Sequence, residues 1–97
     1  MKPDLKQKIE IREDTLNKVR RMIISSMNLN VLPEELDPDT TLFTTGLAFD
    51  SVDAVVLIVD LETEFGIMIS EKESMDALRT INSLVDIVIL KLQDNEA

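Results

Sequence analysis

Residues 42–53 read Leu42-Phe43-Thr44-Thr45-Gly46-Leu47-Ala48-Phe49-Asp50-Ser51-Val52-Asp53. Asp50 is a helix N-cap by type, and Asp53 stands three positions on, where a capping box places its second acceptor. This puts Ser51 in the first turn of a helix, at the end of a loop, with its hydroxyl towards solvent. First-turn N–H groups lack intrahelical partners, and the helix dipole favours anions there. A phosphate bonded to such a serine is electrostatically accommodated. Nothing beside it in the sequence can activate the hydroxyl. The chain has no His and no Cys. That removes the Ser-His-Asp triad, the thiolate nucleophile, zinc sites built on sulfur and the commonest general base. An exposed, unactivated serine at a helix start is suited to be modified rather than to catalyse. The plain alternative is that Asp50 only caps and Ser51 is a tolerated first-turn residue.

A chain of 97 residues and 11.0 kDa is one domain's worth. It is 44% apolar and 30% charged, which reads as globular. Two Gly and three Pro give few tight turns, which favours helices over a β-sandwich. Ten basic residues against nineteen acidic ones leave a net charge of −9. Seven of the ten basic residues fall within the first 21: Lys2, Lys6, Lys8, Arg12, Lys18, Arg20 and Arg21. Residues 34–76 hold twelve acids and one base, Lys72. Nucleic acid is a poor partner for such a surface, whereas a basic protein surface fits it. The longest wholly apolar run, 54–59, is far too short to span a membrane. Met1-Lys2-Pro3-Asp4 leads into charged sequence without an apolar signal core. The absence of cysteine fits a reducing cytoplasm, and the chain is expected to be a monomer.

The elements that must position the serine follow from periodicity. Leu16, Val19, Ile23 and Met27 make one face of a helix over about 14–27. Leu5 and Ile9 continue that spacing, and the upstream stretch is expected to be a loosely held extension. A long ordered loop covers 28–49, broken by Pro33 and Pro38, with Leu32, Leu36, Leu42, Phe43 and Leu47 closing over the core. The second helix starts at Asp50 or Ser51 and stops at Gly66. Ala54, Leu57, Ile58, Leu61 and Phe65 form its core stripe, and Val52, Val55, Val56 and Val59 point elsewhere. Residues 70–77 form an irregular turn or a short third helix. A last helix begins after Thr80, with Ile81, Leu84, Val85, Val88 and Leu92 inward, and runs to about Gln93. The fold class is all-α: a small four-helix bundle of three long helices and one short third helix. Its expected organisation is an extension over 1–12, loosely ordered or helical, a helical domain over 13–93 and a tail over 94–97.

The chain resembles the acyl carrier proteins over about 14–92. The resemblance rests on Leu36-Asp37-Pro38-Asp39-Thr40-Thr41-Leu42-Phe43 and on Gly46-Leu47-Ala48-Phe49-Asp50-Ser51-Val52-Asp53. It extends through Leu57, Leu61-Glu62, Glu64-Phe65-Gly66-Ile67 and Ile69 to Thr80-Ile81. It implies that Ser51 carries 4′-phosphopantetheine, taken from coenzyme A by a phosphopantetheinyl transferase and held as a phosphodiester. The thiol of that arm then holds acyl groups as thioesters, so a chain without cysteine imports its reactive sulfur. Asp50 would cap the helix and help present the serine. The protein would be a carrier and not an enzyme.

The same resemblance implies that acyl-loading and acyl-processing enzymes dock basic surfaces on the helix that starts at Ser51. Val52, Asp53, Val55, Val56, Val59, Asp60 and Glu62 are the expected contacts, an apolar patch rimmed by acids. Burial of the valines under the Leu42-Phe43 loop is the bland alternative. The acyl chain is expected in a cleft lined by Ala54, Leu57, Ile58, Leu61, Leu84, Val85 and Val88, with Met68 or Met75 as adaptable filler. A packed core needs the same residues. Ala48 stands where many carriers have glycine, Val52 replaces the usual leucine, and Val56 replaces a glutamate typical of fatty-acid carriers. These departures point to a specialised member, serving a polyketide-like, lipid-modifying or other acyl pathway, with fatty-acid biosynthesis as the other candidate. An unmodified acidic interaction module accounts for the acids and valines equally well, and predicts that Ser51→Ala is harmless. A calcium loop around Asp37-Pro38-Asp39 lacks the required offsets. No metal site is expected.

Overall fold

The computed structural model describes residues 4–43 and 46–95, the side chains only as far as Gln93. Four helices follow one another: α1 Leu5–Met27, α2 Ser51–Phe65, α3 Glu71–Ala77 and α4 Ile81–Asn95. Among the described residues there is no strand, only an isolated bridge between Thr41 and Thr80. The all-α bundle expected from periodicity is what forms.

α1 begins at Leu5, nine residues ahead of the start that the apolar spacing predicts. The cause is a capping box outside the apolar pattern. Asp4 accepts from the Gln7 N–H at 2.8 Å, and the Gln7 side chain accepts from the Asp4 N–H at 3.0 Å. Asn28, in the left-handed region at φ 55°, ends the helix, and the Leu29 N–H returns to the Ile24 carbonyl at 3.0 Å. Gly66 ends α2 in the same way at φ 64°, with the Ile67 N–H bonded to the Glu62 carbonyl at 3.2 Å. Both are the reversal in which a residue without Cβ strain, or asparagine, satisfies the last carbonyls.

Val19 and Ile23 of α1, Leu57 and Leu61 of α2, and Ile81, Leu84, Val85 and Val88 of α4 are fully buried together. Met22, outside the predicted stripe, joins them. Polar contacts fix the packing order. Ser26 of α1 hydrogen-bonds Asp60 of α2. Arg12 of α1 donates to Asp86 and Asn82 of α4 at 2.7 and 3.0 Å. Both α2 and α4 run antiparallel to α1: contacts nearer its start fall later on each partner.

The described part of the 28–50 loop contains one turn of 3-10 helix, Pro33–Glu35, which apolar periodicity does not signal. Leu36 and Leu42 are buried as expected, Phe43 and Leu47 lie against the core, and Leu32 is exposed, contrary to expectation. Leu32 precedes Pro33 in extended backbone, which carries its side chain out to solvent. Arg20 holds the loop by donating to the Leu36 carbonyl at 2.9 Å. The start of α4 holds its far side: the Asn82 N–H bonds the Pro38 carbonyl and its amide bonds Asp39, both at 2.8 Å. Asp39 is therefore occupied, and among the described residues no three His, Cys, Asp or Glu side chains could share a metal.

α3 is a true helix because Ser70 and Glu73 form a reciprocal capping box. Thr80 caps α4 through the Ser83 N–H at 3.1 Å. Glu73 also reaches Lys91 of α4 at 2.7 Å, tying α3 to α4. That ammonium and the Ser70 N–H lower the Glu73 carboxyl from 4.5 to about 2. A depressed carboxylate stabilises the fold above its unfolded pKa and loses that contribution as pH falls through the folded value. The window here is from about pH 4.5 down to about pH 2. Lys91→Met is expected to return the Glu73 pKa part of the way towards 4.5, since the Ser70 N–H bond remains. A side-chain carboxyl NMR titration reads this directly, and an unchanged midpoint would exclude the ion pair as its cause.

Candidate functional site

The loop closes on itself just before α2. The Leu47 N–H bonds the Thr41 carbonyl at 3.0 Å, and the Phe49 N–H bonds the Leu42 carbonyl at 2.8 Å. Leu42 in turn donates to the Arg79 carbonyl at 3.0 Å. Gly46, at φ 62°, makes the turn, and a Cβ there would meet the Thr41 carbonyl oxygen at 2.2 Å. Ala48 also has a positive φ, 53°. An L-residue with a side chain is strained in that region by about 1–2 kcal/mol. Ala48→Gly is therefore expected to stabilise the protein by about 1 kcal/mol, less than the full strain because glycine loses more freedom on folding. Urea denaturation measures it, and a lowered midpoint would contradict it.

Asp50 caps α2 as the sequence implies. Its carboxylate accepts from the Asp53 N–H at 2.9 Å, and Asp53 accepts from the Asp50 N–H at 3.0 Å. The first intrahelical bond runs from the Ala54 N–H to the Asp50 carbonyl at 3.0 Å. The N–H groups of Ser51 and Val52 thus precede the hydrogen-bonded ladder and remain available. Ser51 is exposed, and among the described residues no side chain bonds its hydroxyl. An anionic group on that oxygen would meet solvent and two free N–H donors, with no wall to displace.

Val52, Val55 and Val59 are 68%, 63% and 51% exposed, and Val56 36%. Burial under the loop is thereby excluded. The acids divide. Asp50 is exposed and Asp53 half-buried at the helix start, whereas Asp60 is turned to Ser26 and Glu62 accepts from the Ile69 N–H at 2.9 Å. Asp60 and Glu62, expected to face a partner, are thus engaged within the fold, Glu62 fastening the α2–α3 connection. Nothing in the sequence marks Ser26 or the Ile69 N–H as their partners. Leu57, Leu61, Leu84, Val85 and Val88 are fully buried, and Ala54 and Ile58 half-buried. Met68 and Met75 are exposed and do not fill a cleft. A groove of about 530 Å³ between α1 and α2, lined by Lys18, Arg21, Ser25, Asp60 and Glu64, lies towards the far end of α2 from Ser51.

The family described as "Phosphopantetheine attachment site" matches residues 17–88. An acyl carrier protein of Thermosynechococcus vestitus is 31% identical over 77 residues, covering 79% of this chain and 90% of that one. The chain belongs to the acyl carrier protein family. An acyl carrier protein of Rubrobacter xylanophilus is 35% identical over 78 residues, covering 80% of this chain and 91% of its own. The crystal structure of the Thermotoga maritima acyl carrier protein superposes with a TM-score of 0.69 at 29% identity, over 87% of this chain and 93% of that one. Acyl carrier proteins carry their cargo and are not enzymes, and their prosthetic group is phosphopantetheine. No described helix of this carrier is long and apolar enough to cross a membrane.

Proposed function

We propose that Ser51 is the attachment residue, bearing 4′-phosphopantetheine through a phosphodiester on its side-chain oxygen. The observation that carries this is an exposed serine without a partner among the described residues, at the first position of α2, inside the family match. Asp50 fixes the helix start, and the N–H groups of Ser51 and Val52 favour the attached anion. When bound, the group supplies a thiol that holds an acyl chain as a thioester.

The outer face of α2 is the proposed docking surface for a phosphopantetheinyl transferase and for acyl-loading and acyl-processing enzymes with basic entrances. Val52, Val55, Val56 and Val59 give it an apolar centre, and Asp50, Asp53 and Glu64 the charge. Such charges set encounter rate and register more than affinity. The acyl chain is proposed to enter between α2 and α4, which pack on each other less than either packs on α1. Leu57, Leu61, Leu84, Val85 and Val88 would part to admit it, with Ala54 and Ile58 at the mouth. Val56 and the other valines support a specialised acyl pathway over standard fatty-acid synthesis, in the cytoplasm.

Loading the transferase-treated protein with a radiolabelled fatty acid, using an acyl–acyl carrier protein ligase, tests the carrier role. The expected product is an acyl-protein that neutral hydroxylamine cleaves, as it does a thioester. A hydroxylamine-resistant product, or none from protein shown to bear the arm, would overturn the role.

A further inference from the structure

Three segments distant in sequence meet at Asn82, in the first turn of α4. Its side-chain oxygen accepts from the Arg12 guanidinium of α1 at 3.0 Å, and its side-chain N–H donates to the Asp39 carboxylate of the loop at 2.8 Å. Its backbone N–H donates to the Pro38 carbonyl, also at 2.8 Å. Arg12 is itself anchored on α4, by Asp86 at 2.7 Å. A neutral amide thus stands between a cation and an anion, its acceptor to the one and its donor to the other. Both charged neighbours favour the same orientation of the amide. Arg12 lies ahead of residues 17–88, the span of the family match, so the junction ties the early turns of α1 to the loop.

Asn82 grips a preformed block. The Asp39 N–H bonds the Asp37 carboxylate at 2.8 Å and the Thr40 N–H bonds the Asp37 carbonyl at 3.0 Å, so residues 37–40 are a turn closed on itself. Beyond it the chain lies along residues 79–81. The Thr40 carbonyl accepts from the Ile81 N–H at 3.4 Å, and the Leu42 N–H donates to the Arg79 carbonyl at 3.0 Å. The first of these is long for a hydrogen bond, so the backbone seam is weak next to Asn82. The Arg12–Asn82–Asp39 bridge lies at that weak point. Downstream the seam leads to the site. The Leu42 carbonyl accepts from the Phe49 N–H at 2.8 Å, and Phe49 directly precedes the Asp50 cap and Ser51.

We propose that Asn82 is a positioning residue for the modification of Ser51. Its amide, clamped between Arg12 and Asp39, holds residues 38–42 on α4 and so fixes the turn that presents the serine to the transferase. This rests on the reading of Ser51 as the attachment residue. Asn82→Asp keeps an acceptor for Arg12, but it has no N–H for Asp39 and sets two carboxylates against each other. Asp39→Asn in the same chain restores the bridge with its polarity reversed, an amide at 39 donating to a carboxylate at 82. The pair of substitutions leaves the net charge as it was. Both exchanges are isosteric, and Asp39 is exposed and Asn82 only half-buried, so the fold is kept.

The test is the rate of transferase labelling with labelled coenzyme A, at a temperature where circular dichroism shows every variant fully folded, beside amide hydrogen exchange. Asn82→Asp is expected to slow labelling about three- to tenfold, the worth of one exposed hydrogen bond. Asn82→Asp/Asp39→Asn is expected to return the rate to near that of the wild type. In Asn82→Asp the Phe49 N–H should exchange faster by a larger factor than the Leu61 N–H in the core of α2, because the opening is local. A merely structural Asn82 would change both amides by the same factor and leave labelling of folded protein as it was. Surface charge acting alone on a basic partner would make Asn82→Asp faster, not slower. Unchanged or faster labelling, equal changes at the two amides, or a double variant as slow as Asn82→Asp overturns the proposal and leaves the Ser51 assignment standing. Wild type that takes no label overturns that assignment and the proposal with it.

Discussion

Ser51→Ala is expected to yield a protein that folds like the wild type and accepts no labelled phosphopantetheine at all. Two features of the structure separate these outcomes. Asp50, not Ser51, makes the cap, through its bonds with Asp53. The Ser51 hydroxyl is exposed and has no partner among the described residues. Alanine is also a better helix former than serine. The stability change should stay within about 0.5 kcal/mol, as for surface positions generally. Melting followed by circular dichroism, beside incorporation of labelled coenzyme A, measures both. Loss of labelling together with loss of fold would remove the meaning of the first result. Persistent labelling of a folded variant would move the site elsewhere.

Gly46→Ala should be strongly destabilising although it adds a single methyl group. Gly46 sits at φ 62°, and an added Cβ would come within 2.2 Å of the Thr41 carbonyl oxygen and 2.6 Å of its Oγ1. The carbonyl cannot swing aside freely, because it also accepts from the Leu47 N–H at 3.0 Å. Left-handed strain of about 1–2 kcal/mol and overpacking of about 1–3 kcal/mol combine to about 2–4 kcal/mol. For a domain of this size each kcal/mol lowers Tm by about 4–8 °C. Because the same turn leads into Asp50 and Ser51, labelling by the transferase should slow in parallel. Calorimetry that finds Tm unchanged would show that the turn is not held as described.

These two positions also show how unevenly the fold was written in the sequence. Asp50, Asp53, Gly66 and Thr80 announce their helix ends because capping is local chemistry, decided within three or four residues. The core stripes of α2 and α4 were legible for a similar reason: Leu57, Leu61, Leu84, Val85 and Val88 recur at the helical period. What escaped was set by distance or by neighbours outside the apolar pattern. The start of α1 depends on the Asp4–Gln7 exchange, which no hydrophobic spacing signals. Asp60 and Glu62 looked like free acids for a partner, and only the approach of Ser26 and of the Ile69 N–H engages them. Leu32 read as core from its apolar character, and Met68 or Met75 as filler of the acyl cleft that the resemblance implies, yet all three are exposed. The candidate site itself was legible as a serine after an N-cap. The loop bonds that hold it, from Thr41 and Leu42 to Leu47, Phe49 and Arg79, were not, since backbone partners leave no trace in side-chain identity.

The most direct test of the central claim is the mass of the intact protein after incubation with coenzyme A and a broad-specificity phosphopantetheinyl transferase, followed by peptide mapping. The expected result is a gain of one phosphopantetheinyl group, located on the peptide that contains Ser51. No gain from folded protein, or a gain on any other residue, would contradict it.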